Sequence, residues 1–193
     1  MNNIVLASSS PRRIELLKKF NINATIIKPN VVEKLSIKDS IEEASMALSF
    51  EKANQVYNSL NKGEIIIACD TLVGLDGKLL GKPRNEEDAK DMLKLLSGRK
   101  HEVVTGLCIM KASTNIKIID FEKTYVKFRK LDDKTINNYI KTGEYRDKAG
   151  AYGIQGIGGA LIEGINGCYF NVVGLPLYRL DILLEKHFDI RLI

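Results

Sequence analysis

Ten residues of this 193-residue chain carry groups suited to gripping and hydrolysing a polyphosphate: Ser8, Ser10, Arg12, Arg13, Glu33, Lys52, Asp70, Thr71, Lys82 and Gln155. The cations neutralise phosphate charge, the two carboxylates accept a proton or hold a metal, the hydroxyls cradle oxygen atoms, and the carboxamide offers both a donor and an acceptor. Residue types alone do not select this set, because any chain of this size contains one. Their local context has to do so.

The most informative context is Ile4 to Phe20, IVLASSSPRRIELLKKF. Ile4 to Ala7 read as a short buried strand. Ser10 stands at an N-cap position directly before Pro11, and proline is favoured there because its missing N–H and fixed φ cost nothing. Ile14, Leu16, Leu17 and Phe20 supply a helical apolar stripe, which puts Arg12 and Arg13 in the first turn. Cations beside the positive end of a helix dipole are unfavourable by roughly 0.3–1 kcal/mol each. Two arginines fit better around an anion held with the serine hydroxyls and the free N–H groups of the turn. An ordinary capped helix with solvated arginines is the plainer alternative.

Further elements must position the rest. Ile22 to Lys28 reads as a second strand, followed by an aperiodic loop that carries Glu33. Ser40 and Glu43 form a capping box for a helix ending near Leu60, with Ile41, Ala44, Leu48 and Val56 as its buried stripe. Lys52 lies one turn from Leu48 on that stripe, so it either snorkels to the edge or points into a cleft as a fixed cation. Ile65 to Cys69 is the most clearly buried strand, and Asp70 and Thr71 come straight after it, where α/β folds place ligand sites. Asp76–Gly77 marks a hairpin. Lys82 is held between Gly81 and Pro83, and Asn85 caps a helix stopped by Gly98. His101–Met110 and Ile116–Phe128 read as antiparallel neighbours, and Thr135–Lys141 as a short helix.

Nine of the fifteen glycines fall between Gly143 and Gly174, which indicates backbone lying close to a ligand or to another part of the fold. Asn166–Gly167 in that stretch reads as a hairpin between strands Ala160–Ile165 and Cys168–Val173. A last helix starts at Leu175–Pro176 and runs to His187. Tyr152 reads as packing, and His101 as structural.

Composition sets the outer limits. The chain is 45% hydrophobic and 27% charged, which is ordinary for one globular domain. No stretch approaches the roughly 18 apolar residues of a membrane span, and no secretory signal is visible, so a cytoplasmic location is expected. Cys69, Cys108 and Cys168 form no metal-binding or disulfide pattern and read as reduced thiols. Neither His101 nor His187 lies in a nucleophile motif. A formal charge of +5 suits an anionic partner, but the basic residues are dispersed and Trp is absent. A small anionic molecule fits that pattern as well as a nucleic acid does.

Six segments in order, LASSSPRR, FEKA, CDTLV with LLGKP, LSGRKHEVVTG, DKAGAYGIQG and NVVGLP, resemble the Maf family of nucleoside triphosphate pyrophosphatases from end to end. The resemblance implies an α/β fold of the Maf/ITPase kind: a mixed twisted sheet flanked by helices, with residues 1–193 forming one domain of two lobes around a long cleft. It implies Mg²⁺- or Mn²⁺-dependent cleavage of the α–β phosphoanhydride of a nucleoside triphosphate. Thr71 and Gln155 are similar to the branch acting on dTTP and UTP, with Arg12 or Arg13 sharing in that selectivity.

In that resemblance Asp70 is the proton acceptor, and Glu33 with Asp70 holds the metal. Arg13, Lys52 and Lys82 neutralise phosphate charge, and Ser8 and Ser10 join Arg12, Thr71 and Gln155 in binding substrate. An ordinary aspartate, with a pKa of about 3.9, is a poor base at neutral pH, so it needs either a raised pKa or a metal that acidifies the attacking water. The chain departs from the family where an acidic pair is replaced by Val32–Glu33. A homodimer is the family's usual form, and no membrane or stable nucleic-acid partner is expected. A non-catalytic nucleotide- or nucleic-acid-binding regulator of septum formation is the alternative, and a general phosphatase releasing phosphate is a third.

Overall fold

The structure is a computed structural model and describes residues 3–31 and 40–193, so the expected metal ligand Glu33 and its neighbour Val32 lie outside the described residues. One mixed sheet organises the chain. Strand β1 (Ile4–Ala7) pairs in parallel with β2 (Ala24–Ile27) and with β3 (Ile65–Leu75). β3 then pairs antiparallel with β5 (Lys100–Lys111), β5 with β6 (Lys117–Phe128), and β6 with β7 (Ile162–Asn166). The short strand β4 (Lys78–Leu80) folds back on the end of β3 through the Asp76–Gly77 turn.

Alternation along the central strands sends apolar residues to both faces, so both faces must be covered. Leu6, Ile65, Ile67, Leu107 and Ile109 pack under α1 (Pro11–Lys19) and α6 (Leu177–Phe188). Val5, Ile66, Ala68, Cys108 and Met110 face α2 (Ile41–Tyr57) through Ala53 and Val56. At the far end of the sheet, Val73, Leu75, Val103 and Phe128 meet α3 (Glu86–Leu96) and α4 (Asp133–Lys141).

The local signals act as their chemistry predicts. Ser40 and Glu43 complete both halves of the capping box, and Asn85 Oδ1 accepts the Asp88 N–H at 2.9 Å. Three readings change. Asp70 and Thr71 lie inside β3 rather than after it, because β5 pairs with that strand from Ile65 to Gly74. Ser10 is the N-cap residue of α1 by position, but its side chain makes no capping bond.

The expected strand Cys168–Val173 is instead a helical turn, α5 (Tyr169–Val173), closed by Gly174 in the left-handed region. The competing partner is Thr124 in β6. Its Oγ1 accepts from the Cys168 N–H and from Asn171 Nδ2, and donates to the Cys168 carbonyl. That draws the chain inward just past β7, so no second strand can lie alongside.

Helix α2 is seated unusually close to the sheet. A Cβ on Gly106 would lie 2.1 Å from the Ser45 carbonyl oxygen and 2.6 Å from the Met46 nitrogen. Only glycine admits that backbone approach.

Candidate active site

β1 stops short of β3. It pairs with that strand as far as Leu6 opposite Ile67, and β4 resumes along the same edge at Val73. A cleft of about 890 Å³ opens beside the interval, with Asp70 and Thr71 in its wall. Residues in that interval still alternate between faces. Asp70 follows Ile66 and Ala68 to the α2 side, and Thr71 follows Cys69 to the α1 side. One strand therefore points a carboxylate at one helix and a hydroxyl at another.

On the α2 side, Lys52 Nζ donates to Asp70 Oδ1 in an ion pair whose side chains are 14% and 9% exposed. Of the two fates open to a lysine on that helix face, the structure shows the inward-pointing cation. Removing one member of so enclosed a pair leaves the other charge poorly compensated, so the two groups hold each other at the cleft wall.

On the α1 side, Arg13 makes three bonds to three separate segments. Its Nε donates to the Gly174 carbonyl at 2.7 Å, its Nη2 to Thr71 Oγ1 at 2.9 Å, and its Nη1 to Ser8 Oγ at 3.5 Å. Ser8 is buried, and its hydroxyl also accepts the Ser10 N–H at 3.1 Å. The serine turn is thus braced from within, and that bond takes the Ser10 N–H into the turn.

Arg12 is half-buried beside Arg13, and Lys148 is half-buried in the same cleft. Burial lowers the Arg12 pKa, the neighbouring Arg13 charge lowers it further, and Asp147 partly opposes both. Lys148 is lowered by burial first and by Arg12 second. Three cations crowded at one end of a cleft repel one another, and a polyanion placed among them relieves that repulsion. Lys82 and Gln155 are exposed on the rim. The Gly81 carbonyl accepts the Gly150 N–H at 3.1 Å, which ties the Lys82 loop to the turn after Lys148.

The glycine-rich segment closes on its own chain. Glu144 Oε2 accepts from the Ile157 N–H at 2.8 Å, and Oε1 accepts from the Gly158 N–H at 3.0 Å. A Cβ on Gly156 would lie 2.2 Å from that carboxylate. The close approach predicted from the glycines is therefore, at this point, one to Glu144, and it presents Gln155 to the cleft. Sequence reasoning missed Glu144, Asp147 and Lys148. The last two stand in DKAGAYGIQG, whereas Glu144 carries no signal of its own.

Every sequence-predicted site residue among the described residues lines this one cleft: Ser8, Ser10, Arg12, Arg13, Lys52, Asp70, Thr71, Lys82 and Gln155. Among the described residues, no three His, Cys, Asp or Glu side chains gather as a metal-binding group. Magnesium is commonly held by one or two carboxylates plus substrate phosphates, and Asp70 facing into the cleft fits such a single-carboxylate anchor. A smaller cavity of about 670 Å³ around Asn3, Lys62 and Lys111 gathers none of these residues.

Three groups are structural. Burial pushes the Cys69 thiol up to about 11, which leaves it an unreactive neighbour of Asp70. His101 is 2% exposed, its Nε2 lies 2.8 Å from the Tyr152 hydroxyl, and its ring meets Phe128 and Tyr152 edge to face. Tyr152 is likewise buried packing at the back of the cleft. Burial lowers the His101 pKa from 6.5 to about 4. Between those values the unfolded chain binds a proton that the folded one refuses, so stability falls as pH drops from about 6.5 towards 4. A shift of that size corresponds to roughly 3 kcal/mol. Urea unfolding across that interval is expected to show the loss in wild type and a clearly smaller one in His101→Gln. Parallel curves would assign the pH dependence to other groups.

Among the described residues, no helix is long and apolar enough to cross a membrane. A family model described as Maf-like protein matches residues 3–187. A dTTP/UTP pyrophosphatase of Caldicellulosiruptor saccharolyticus is 49% identical over 189 residues, covering 96% of this chain and 95% of that protein. One from Clostridioides difficile is 47% identical over 190 residues, covering 98% and 97%. Among solved structures, the Staphylococcus aureus Ham1 protein aligns with a TM-score of 0.44 at 17% identity, over 66% of this chain and 72% of that one. With a family match running nearly end to end and relatives close to half identical, this chain belongs to the Maf-like protein family.

Proposed function

We infer that the protein hydrolyses dTTP and UTP at the α–β phosphoanhydride, releasing pyrophosphate and the nucleoside monophosphate. The observation that carries the reading is the enclosed Asp70–Lys52 pair in the wall of a cleft that also gathers Arg12, Arg13, Lys82, Lys148 and the hydroxyls of Ser8, Ser10 and Thr71. The relatives named dTTP/UTP pyrophosphatase support the substrate class.

In this reading Asp70 takes the proton of the attacking water, and Lys52 holds the carboxylate in line while countering phosphate charge. Arg12, Lys82 and the uncommitted N–H groups of Arg13 hold the triphosphate, and Lys82 on the rim follows the leaving pyrophosphate. Ser8, Ser10 and the first turn of α1 cradle a phosphate. Gln155, with a donor and an acceptor, meets the base edge alongside Thr71.

A magnesium or manganese ion on Asp70, with Glu33 as a second ligand, would supply Lewis-acid neutralisation of the phosphates and a more acidic water. The cytoplasm is the proposed compartment, one domain of two lobes the proposed organisation, and a homodimer the proposed assembly. A non-catalytic regulator of septum formation would use the cations but has no need of a carboxylate fixed against Lys52.

The test is a panel of nucleoside triphosphates with added Mg²⁺ or Mn²⁺, scored for pyrophosphate against phosphate release. Pyrophosphate from dTTP and UTP is expected. Phosphate as the product would make this a general phosphatase, and binding without turnover would return the regulator.

A further inference from the structure

Thr105 lies outside the cleft lining, fully buried on β5 directly opposite Thr71 in the β3–β5 register. We propose that Thr105 is a positioning residue that fixes the polarity of the Thr71 hydroxyl, so that Thr71 offers the substrate a hydrogen-bond acceptor and takes the N3–H of a uracil or thymine base. The proposal rests on the pyrimidine triphosphate reading above and deepens it.

The argument is a count of protons. A threonine hydroxyl has one proton to donate and two lone pairs to accept with. The Thr105 hydroxyl donates to the Asn171 main-chain carbonyl at 3.0 Å, and a carbonyl can only accept. Its proton is therefore used. The Thr71 and Thr105 hydroxyl oxygens lie 2.9 Å apart, so in that bond Thr71 donates and Thr105 accepts. Arg13 Nη2, which can only donate, takes one lone pair of Thr71 at 2.9 Å. Thr71 has no proton left for a ligand and keeps one lone pair at the cleft wall.

Asn171 anchors the far end of the relay. It is fully buried, its Nδ2 donates to the Val103 carbonyl and to Thr124 Oγ1 at 3.0 and 2.9 Å, and its carbonyl is held in place by α5. The direction of the relay is thus set by main-chain atoms and not by the ligand. Uracil and thymine both present N3–H as their one ring donor, flanked by two carbonyls, whereas cytosine presents an unprotonated N3. A site with a fixed acceptor pairs with the first and leaves two lone pairs facing each other with the second. Mismatched polar groups of this kind discriminate far more sharply than pocket size does.

The experiment compares kcat/KM for UTP and CTP in wild type, Thr105→Val and Thr105→Ser, and adds N3-methyl-UTP as a substrate for wild type. Valine removes the acceptor for the Thr71 proton, which is then free to turn into the cleft. The UTP-to-CTP ratio should shrink by about tenfold, and serine should restore it. N3-methyl-UTP, which lacks the donor, should be turned over by wild type at least about 100-fold less efficiently than UTP. If Thr105 is merely structural, valine lowers the melting temperature and both substrates suffer alike, which overturns the proposal. Equal turnover of UTP and N3-methyl-UTP overturns it without any variant having to fold. Wild-type turnover of UTP with none of these differences sinks the relay and leaves the reaction class standing, whereas no turnover of UTP sinks both.

Discussion

Asp70→Asn is expected to reduce pyrophosphate release from dTTP or UTP by about 10³-fold while leaving the fold intact and nucleotide affinity within a few-fold of wild type. Asparagine keeps the shape of the side chain and an oxygen that Lys52 Nζ can donate to, so the wall of the cleft keeps its shape although the Lys52 charge loses its counter-ion and some stability goes with it. What it loses is the capacity to take a proton and to bind a metal. The loss should appear in kcat rather than KM, because the interactions removed belong to the transition state. Measured pyrophosphate release and a titration with nucleotide separate the two. Equal rates in mutant and wild type would remove Asp70 from the mechanism and leave the Lys52 pair as a structural ion pair.

Gly106→Ala should damage both stability and rate, though Gly106 donates no side-chain group to the site. The new Cβ would fall 2.1 Å from the Ser45 oxygen and 2.3 Å from its carbonyl carbon, both backbone atoms of α2. No side chain can turn aside to make room, so the helix itself must lift from the sheet. Overpacking of this kind costs about 3 kcal/mol, which for a protein of this size lowers the melting temperature by roughly 10 °C. Gly106 is also the register partner of Asp70. Lifting α2 there draws Lys52, two turns further along, away from the carboxylate. A misplacement of about 1 Å is enough to cost roughly 100-fold in rate. A thermal melt and UTP turnover well below the transition would measure both effects. An alanine variant with wild-type stability and rate would mean that the helix tolerates displacement and that its close seating does not position Lys52.

Both predictions concern contacts between residues far apart in sequence, and there sequence reasoning stopped. It found Lys52 on the apolar stripe of α2 but left two directions open, since helical phase fixes a face and not what lies across from it. It placed Asp70 beyond the end of its strand. The apolar run ends at Cys69, whereas the strand continues because β5 supplies hydrogen bonds as far as Gly74. It read Cys168–Val173 as a strand from the Asn166–Gly167 turn signal. The partner that bends it into a helix, Thr124 on β6, comes from elsewhere in the fold and takes bonds from Cys168 and Asn171 within the segment. Arg13 could be assigned to the first turn of α1, but nothing local indicates that it braces Ser8, Thr71 and Gly174 together.

By itself, the order of residues determined what is decided within a few positions. Proline after Ser10, the Ser40–Glu43 box, the Asn85 cap and the alternation along β3 and β5 each act through neighbouring atoms or a fixed period. It also determined which residues belonged to the candidate set, because their types and motifs stand in the chain whatever its shape. Tertiary structure alone decided who meets whom. The side to which Asp70 and Thr71 point, the donor and acceptor roles along the threonine relay, and the burial of His101 depend on packing across the sheet. Packing of that kind is set by the sum of many apolar contacts rather than by any local signal.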